Sequence, residues 1–373
     1  MTTENSVAPN EVQPRPVLES LPKYAAGKPP VAVGGMTAYK LSSNENPLPP
    51  VPAVLAAIRE GVDYNRYPDP VATKLREALA TFLDVPAEDV VTGAGSLGAL
   101  TQILQTFAGQ NDDGVPDEVV YAWRSFEAYP ICVGATGASS VKVPLLADGR
   151  HDLDAMAAAV NDRTSVVLLC TPNNPTGPVL TTAEVEDFLA KVPRNVLVVI
   201  DEAYIEFVRH GEAVDGIEMY RRHPNVVVLR TFSKAHGLAN LRVGYSVSRP
   251  AITQYLRVLA TPFAVSSLAE KAAVASLENY GEVVERVQSL VDERARVVQG
   301  LRDLRWDVPD AQGNFVWLNL GADTADFARV AAEHALSVRA FANEGVRVTI
   351  GEPEANTRFL EVCSIYPKRP AVS

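Results

Sequence analysis

Three side chains capable of covalent, acid–base or hydrogen-bonding chemistry occur along the chain at nearly regular intervals. Asn174, Asp201 and Lys234 each follow a β-branched run and are separated by 27 and then 33 residues. This spacing is close to the roughly 30 residues of one strand–helix–strand unit. Because ligands bind beyond the carboxyl ends of parallel strands, it predicts that all three side chains reach one edge of a sheet. Alone, each has an ordinary explanation as a solvated lysine or a helix cap, and only the combination indicates a site.

Together these groups supply the chemistry that pyridoxal 5'-phosphate (PLP) needs from a protein. A lysine forms a Schiff base with the cofactor's aldehyde, and we assign this role to Lys234 as the catalytic residue. A carboxylate beside the pyridine nitrogen keeps that nitrogen protonated, so that the ring accepts electrons, and Asp201 is the candidate. An amide can donate to the ring oxygen, and Asn174 is the candidate for this contact.

The phosphate of such a cofactor requires hydrogen-bond donors and positive charge. Gly95 and Ser96 begin a predicted helix in the segment GAGS, and the free backbone N–H groups of a helix start bind anions. Ser233 and Arg242, one residue before and eight after Lys234, can add a hydroxyl and a bidentate guanidinium. A flexible turn is the alternative interpretation of GAGS.

The elements that must position these residues follow a strand–helix rhythm from about residue 88. Several runs are apolar without alternation, which is typical of parallel strands buried on both faces. After residue 249 the pattern becomes mostly helical, with a long amphipathic segment and two late strands, FVWLNL and VRVTIG. Strands are predicted at 89–93, 117–122, 139–145, 164–170, 195–200 and 225–232, and helices at 52–62, 70–83, 96–108, 181–192 and near 277–303.

This order of elements predicts an α/β protein with two parts. Residues 46–248 are expected to form a large PLP-binding domain, in which a mostly parallel central sheet is flanked by helices. Residues 249–373 are expected to form a smaller α+β domain, and an N-terminal segment, residues 1–45, is expected to pack against it. With 373 residues, the chain is long enough for both parts.

The composition disfavours several classes of function. A net charge of -11 and an isoelectric point near 5.1 disfavour binding to nucleic acid or to an anionic membrane, since neither can be neutralised without a basic face. The three cysteines have no CxxC spacing and the five histidines do not cluster, so neither a disulfide framework nor a metal site is expected. The polar N-terminus has no signal-like or membrane-spanning run, and we expect a cytoplasmic protein that acts on small molecules.

Motifs across nearly the whole chain resemble the class I/II aminotransferases of fold type I, specifically their histidinol-phosphate aminotransferase-like branch. NNPTG, DEAY, and SK followed by GLxxLRVG are together highly specific. The resemblance implies a PLP-dependent transferase fold and a homodimer in which each active site borrows residues from its partner. Further motifs occur in the family's order, namely YAAGKP (24–29), LSSNENP (41–47), RYPDP (66–70), GAGS (93–96) and VRVTIGEPEANTRFL (346–360).

The resemblance also implies roles for residues around the cofactor. Tyr67 looks like the tyrosine that reaches the cofactor phosphate of the partner; without the family, a tyrosine packed in a proline turn is the simpler interpretation. Phe126 resembles the aromatic residue that stacks on the pyridine ring, and Tyr204 resembles the tyrosine that hydrogen-bonds the ring oxygen. Thr231, in the segment TFSKAHGLANLRVG, is expected to contact the cofactor as well.

Two arginines and two further residues are implied to bind the substrate. Arg347 resembles the arginine that holds the substrate's anionic group, normally the α-carboxylate. Arg339 falls where histidinol-phosphate enzymes place a second anion-binding arginine, although surface arginines of this kind are usually solvated. Tyr24 and Asn46, from the YAAGKP and LSSNENP segments, are expected to contribute to the same site.

The implied activity is ping-pong transamination of phenylalanine and tyrosine, with 2-oxoglutarate as the acceptor. TFSKAHGLANLRVGY and WRSFEAYP are more similar to aromatic amino acid aminotransferases than to histidinol-phosphate aminotransferases, which commonly carry an aromatic residue at the position of His236. Transamination of histidinol phosphate in histidine biosynthesis is the alternative. A PLP-dependent decarboxylase would keep the same cofactor residues and is favoured less. A non-catalytic cofactor-binding protein is also favoured less, because it has no need for a reactive lysine.

Overall fold

A computed structural model describes residues 12, 14–24, 27, 29–110 and 113–367 of the chain, which form two sheets and the helices around them. The strands are β1 (Tyr39–Leu41), β2 (Val90–Gly93), β3 (Glu118–Trp123), β4 (Ser139–Pro144), β5 (Thr164–Cys170), β6 (Leu197–Asp201), β7 (Val226–Thr231), β8 (Gly244–Val247), β9 (Phe315–Asn319), β10 (Leu336–Phe341) and β11 (Gly345–Thr349). The helices are α1 (Val17–Ser20), α2 (Pro52–Glu60), α3 (Thr73–Leu83), α4 (Gly95–Phe107), α5 (Tyr129–Thr136), α6 (Leu153–Ala159), α7 (Thr182–Lys191), α8 (Gly216–Arg222), α9 (Pro250–Val258), α10 (Ser267–Glu278), α11 (Tyr280–Asp303), α12 (Thr324–Glu333) and α13 (Pro353–Ile365).

The larger sheet has seven strands in the order β2-β8-β7-β6-β5-β3-β4. All neighbouring strands are parallel except β8, which runs antiparallel to both β2 and β7. Residues of β6 alternate between two hydrophobic clusters, one on each face, so the strand is buried on both sides. The prediction of an α/β fold with a mostly parallel sheet is confirmed, and each predicted strand of this sheet lies within two residues of an observed one.

The predicted helices are present, and their starts have identifiable causes. α7 begins after Thr181, whose hydroxyl accepts the N–H of Glu184 while the Glu184 carboxylate accepts the N–H of Thr181. This capping box was visible in the sequence. α3 begins at Thr73 rather than at residue 70, because Ala72 adopts a left-handed conformation with φ of 49°.

The smaller sheet combines β1, which precedes the larger sheet in the sequence, with three strands that follow it, in the order β1-β10-β11-β9. β1 pairs in parallel with β10, and the other pairs are antiparallel. The division of the chain at residues 45 and 248 stays a prediction, and residues 1–11 and 368–373 at its two ends lie outside the described residues. Within the described ranges, none of the helices combines the length and the apolar character needed to cross a bilayer.

A buried ion pair braces the sheet behind the ends of β6 and β7. The Nε of Arg230 donates to Oε2 of Glu202 at 2.8 Å, and Oε1 of Glu202 accepts the N–H of Gly216 at 2.7 Å. Desolvation raises the pKa of the Glu202 carboxyl, and the Arg230 guanidinium opposes that shift. Since successive strand residues point to opposite faces, the ion pair lies on the other side of the sheet from Asp201 and Thr231.

Replacing Arg230 with methionine should lower the free energy of unfolding by about 3–5 kcal/mol, because the buried carboxylate of Glu202 loses its counter-charge. Urea denaturation followed by circular dichroism measures this, with an unchanged dependence on urea as the check on two-state behaviour. Arg329→Met is the matched control, since Arg329 pairs with acidic residues on an exposed helix face and its loss should change stability by less than about 0.5 kcal/mol. Equal effects of the two substitutions would contradict the prediction.

Candidate active site

A cavity of about 330 Å³ lies between the carboxyl ends of the parallel strands and the smaller sheet. One wall is formed by the last residues of β5, β6 and β7, and the other by residues that follow β1 and by two arginines of β10 and β11. Twelve of the fifteen site residues predicted from the sequence line this cavity, namely Tyr24, Ser96, Phe126, Asn174, Asp201, Tyr204, Thr231, Ser233, Lys234, Arg242, Arg339 and Arg347.

Lys234 places its amine inside this cavity. Its Nζ donates to the backbone carbonyls of Ser43 and Asn44 at 3.1 and 3.2 Å. Loss of water around the amine, assisted by the nearby Arg347 guanidinium and opposed by Glu45, lowers the pKa of Lys234 to about 7. Near neutral pH a large share of this amine is therefore uncharged, and an uncharged amine is both nucleophilic and basic.

Asp201 ends β6 and presents a buried carboxylate to the same cavity. Desolvation raises the pKa of Asp201 to about 6, although hydrogen bonds from the Tyr129 hydroxyl and the Ala203 N–H favour its ionised form. Tyr129 Oη donates to Oδ2 at 2.7 Å, whereas Oδ1 has no hydrogen-bond partner among the residues that the structure describes. A buried carboxylate with an unpaired oxygen favours a cationic N–H donor in the cavity.

Asn174 and Tyr204 bring two hydrogen-bond donors to the cavity. Asn174 Oδ1 accepts from Arg347 Nη1, which leaves the amide N–H groups to donate. Tyr204 Oη accepts from Nδ2 of Asn44 at 3.0 Å, and desolvation raises the pKa of Tyr204 to about 12, so the hydroxyl keeps its proton. The Tyr204 ring centre is 5.8 Å from Nζ of Lys234.

The start of α4 and the residues around it bring backbone N–H groups, hydroxyls and positive charge together. Ser96 lies in the first turn of α4, where backbone N–H groups have no helical partner. Ser233 Oγ accepts from Thr231 Oγ1 at 3.1 Å and from Arg242 Nη1 at 3.4 Å, which leaves its own proton to donate. Gly95 does not line the cavity, but a Cβ there would lie 2.4 Å from Arg242 Nη2. The missing side chain thus lets the guanidinium lie against the helix start.

Arg347 and Arg339 are direct neighbours on adjacent strands of the smaller sheet. Arg347 is buried and donates to the carbonyl of Ser42 at 2.9 Å and to Asn174, and burial lowers its pKa without removing its charge. Its Nε has no hydrogen-bond partner in the described part of the chain. Arg339 forms a bidentate ion pair with Glu127. Both arginines are charged, but only Arg339 is paired directly with a carboxylate.

Phe126 and Tyr24, two further aromatic residues predicted at the site, also line the cavity. Phe126 packs edge-to-face on Tyr129 with 5.7 Å between ring centres, which ties its ring to the residue that holds Asp201. Tyr24 lines the cavity with an exposed side chain.

Tyr67 and Asn46 lie outside the cavity of their own chain. The Tyr67 side chain is 84% exposed and stacks on Phe263 at 4.7 Å. Asn46 Nδ2 donates to the carbonyl of Ala235 at 3.1 Å, and Asn46 Oδ1 accepts the N–H of Leu48. The Asn46 amide thus fixes the backbone that follows Lys234, and its contact with substrate stays a prediction.

Several residues of the site were missed by the sequence interpretation. Tyr129 and Glu127 lie in WRSFEAYP beside Phe126, and Asn44 lies in LSSNENP, so the segments were recognised but not these contributions. Their partners are between 72 and 212 residues away in the sequence. No local pattern reports such contacts, and only the family's motif would have drawn attention to these positions.

Comparisons with known proteins agree with this geometry. The family model for class I and II aminotransferases matches residues 37–362. The chain is 52% identical to the aromatic amino acid aminotransferase of Streptomyces avermitilis over 355 residues and 51% identical to that of Thermobifida fusca over 356 residues, in each case 95% of this chain and 97% of the relative.

Solved structures of aminotransferases share the fold of this chain. The histidinol-phosphate aminotransferase of Sinorhizobium meliloti in complex with pyridoxal-5'-phosphate is 29% identical, with a TM-score of 0.83 over 96% of this chain and 98% of that chain. An aspartate aminotransferase of Thermus thermophilus, 22% identical over 88% of this chain and 92% of its own, shares the fold with a TM-score of 0.78. Because the matches extend over nearly the whole chain, this protein belongs to the class I and II aminotransferases.

Proposed function

We propose that the protein is a PLP-dependent aminotransferase that transfers the amino group of phenylalanine or tyrosine to 2-oxoglutarate. One observation carries the proposal: a lysine with a pKa lowered to about 7 and an aspartate with a pKa raised to about 6 line one cavity at the ends of neighbouring strands. An uncharged amine suits attack on an aldehyde and proton transfer at carbon, and a desolvated carboxylate suits a protonated pyridine nitrogen.

The donor and acceptor groups fit PLP at each of its polar positions. Oδ1 of Asp201 would accept the pyridine N–H, and Asn174 and Tyr204 would donate to the ring oxygen. Phe126 offers an aromatic face to the ring. At the start of α4 the phosphate would be held by residues that supply N–H groups, hydroxyls and positive charge, namely Gly95, Ser96, Thr231, Ser233 and Arg242.

Each step of the reaction draws on a specific side chain. Bound PLP supplies an aldehyde that condenses with amines and a pyridine ring that withdraws electrons. Nζ of Lys234 would take the proton from the substrate's Cα and hold it for return, a role that suits an amine whose pKa lies near neutral pH. Asp201 holds the proton on the ring nitrogen. Arg347 binds the substrate's α-carboxylate, and its hydrogen bond to Asn174 aligns that group with the ring site.

The choice of aromatic substrates is supported by the relatives of the chain. Enzymes named aromatic amino acid aminotransferase match it at 46% to 52% identity over more than nine-tenths of its length. Histidinol phosphate is the second candidate, because Arg339 provides another guanidinium in the cavity and the S. meliloti structure is a histidinol-phosphate aminotransferase.

Single-turnover reactions of the PLP-loaded enzyme should separate these candidates. Phenylalanine and tyrosine should change the cofactor absorbance with a second-order rate constant at least about tenfold above that for histidinol phosphate, a discrimination within reach of differential binding. Lys234→Ala should abolish these changes. Fast conversion by histidinol phosphate alone would overturn the substrate assignment, and no conversion by any of the three would overturn the aminotransferase proposal.

The lowered pKa of Lys234 predicts a measurable effect on the cofactor-free protein. Burial of this amine costs most below about pH 7, where it is protonated in both the folded and the unfolded chain, and the cost fades as pH rises from 7 towards the ordinary value of 10.5. Lys234→Met should therefore raise the free energy of unfolding more at pH 6 than at pH 9. Lys74→Met, which removes an exposed lysine of α3, is the control and should show no such difference. Equal gains for Lys234→Met at both pH values would argue against a lowered pKa.

We also propose a homodimer in which Tyr67 reaches the site of the partner. Exposed apolar side chains occur in two segments, 64–71 and 255–263, which contact each other through the stacked rings of Tyr67 and Phe263. Exposed apolar side chains grouped in this way indicate an interaction surface. A second copy of the chain is its proposed occupant, which would place a tyrosine hydroxyl beside the partner's phosphate site.

Phe263→Arg should convert the dimer to monomer in sedimentation velocity, because it places a charge in the stacked centre of the patch. Val284→Arg is the control. Val284 has nearly the same exposed fraction as Phe263, 42% against 40%, but it lies outside the two segments, so this change should leave the dimer intact.

Tyr67→Phe should keep the dimer and weaken PLP binding by about tenfold or more, as expected for loss of one hydrogen bond to a charged group. Unchanged PLP affinity would contradict the shared role of Tyr67.

A further inference from the structure

We infer that Glu127 is a specificity-determining residue, whose carboxylate pairs with Arg339 and so weakens, without preventing, the binding of substrates that carry a distal anion, the acceptor 2-oxoglutarate included. The inference rests on the proposed function and deepens it, because it names the residue that separates aromatic amino acids from substrates with a distal anion.

The contact between Glu127 and Arg339 has the geometry of a strong ion pair. Arg339 Nε donates to Oε2 at 3.1 Å, and Nη2 donates to Oε1 at 2.5 Å and to Oε2 at 2.7 Å. The side chains are only 11% and 23% exposed. Bidentate guanidinium–carboxylate pairs shielded from water are stronger than exposed pairs. Arg339 therefore contributes little net positive charge to the cavity.

Arg347 presents the opposite situation on the neighbouring strand. Its partners are the neutral oxygens of Ser42 and Asn174, and no carboxylate lies within ion-pair distance of it among the described residues. The cavity thus offers on this wall one guanidinium that has no carboxylate paired with it directly, although the charge of Glu127 also acts on Arg347, and this guanidinium suits one α-carboxylate. A second anionic group would have to displace Glu127 from Arg339 or lie beside its negative charge, and both carry an energetic cost.

The remaining carboxylates of the cavity are occupied elsewhere. Asp201 is held by Tyr129 at the cofactor ring site, and Glu45 forms an ion pair with Lys40 at 2.9 Å. Glu127 is therefore the carboxylate that faces the arginine pair. It also directly follows Phe126, so one short segment brings an aromatic face and a neutralising charge to the same cavity.

Glu127→Gln tests the inference, because it keeps the shape of the side chain and removes its charge. For the PLP-loaded enzyme, the ratio of kcat/KM for histidinol phosphate to that for phenylalanine should rise about tenfold, the change that about 1.4 kcal/mol produces. The ratio for 2-oxoglutarate to phenylpyruvate as acceptors should rise in the same direction. Calorimetry with two unreactive acids gives a readout independent of turnover: glutarate should bind tighter relative to 3-phenylpropanoate.

Two further variants distinguish specificity from a purely structural role. Glu344→Gln removes a carboxylate that forms a comparable bidentate pair with Arg124 outside the cavity lining, and it should leave all the ratios unchanged. In the double variant Glu127→Gln/Arg339→Gln the gain should disappear, because the freed guanidinium is gone.

The outcomes separate failure of this inference from failure of the proposed function. If the unaltered enzyme does not transaminate phenylalanine, the proposed function fails. If it does, but Glu127→Gln leaves the substrate ratios and the relative affinity for glutarate unchanged, Glu127 only balances the charge of two adjacent arginines and the inference is wrong. A gain that persists in the double variant also overturns it, since the anion would then bind elsewhere.

Discussion

Loss of water around two ionisable groups in one cavity is the constraint on which the rest of the site depends. Burial moves the pKa of Lys234 down to about 7 and that of Asp201 up to about 6, because desolvation destabilises the charged form of each group. Both shifts cost stability in the free protein, and a ligand that offered an aldehyde to Lys234 and a cationic nitrogen to Asp201 would recover that cost. The strand ends can hold such groups because β6 and β7 are hydrogen-bonded on both sides.

Contacts on the far face of the larger sheet and contacts around the cavity both position the residues of the site. Glu202 and Arg230 each adjoin a residue of the cavity wall in the sequence, and their buried ion pair fixes the spacing of the two strand ends on the opposite face. Tyr129 sets the carboxylate of Asp201, and Asn46 fixes the backbone after Lys234. These contacts touch none of the proposed reacting atoms, yet they determine where the reacting groups lie, so mutations there should alter activity through geometry.

The sequence was informative wherever the information was local. The apolar runs predicted the strands of the parallel sheet, and the Thr181 capping box predicted the start of α7. It was uninformative for β1, which has three residues, and for β10, whose half-buried residues and Arg339 give no clear alternation. The same holds for the site: residues at strand ends could be found by spacing, whereas Glu127 depends on a contact 212 residues away.

Three consecutive residues after β1 connect the side of the cavity that holds Lys234 to the side that holds Arg347. Ser42 accepts from Arg347, Ser43 accepts from Lys234, and Asn44 both accepts from Lys234 and donates to Tyr204. These residues follow a strand of the smaller sheet, whereas Tyr204 and Lys234 follow β6 and β7 of the larger sheet. The position of Arg347, the proposed carboxylate-binding residue, is therefore coupled through one short piece of backbone to the position of the Lys234 amine, the proposed proton carrier. A substrate that seats its carboxylate correctly is for that reason also positioned for proton transfer.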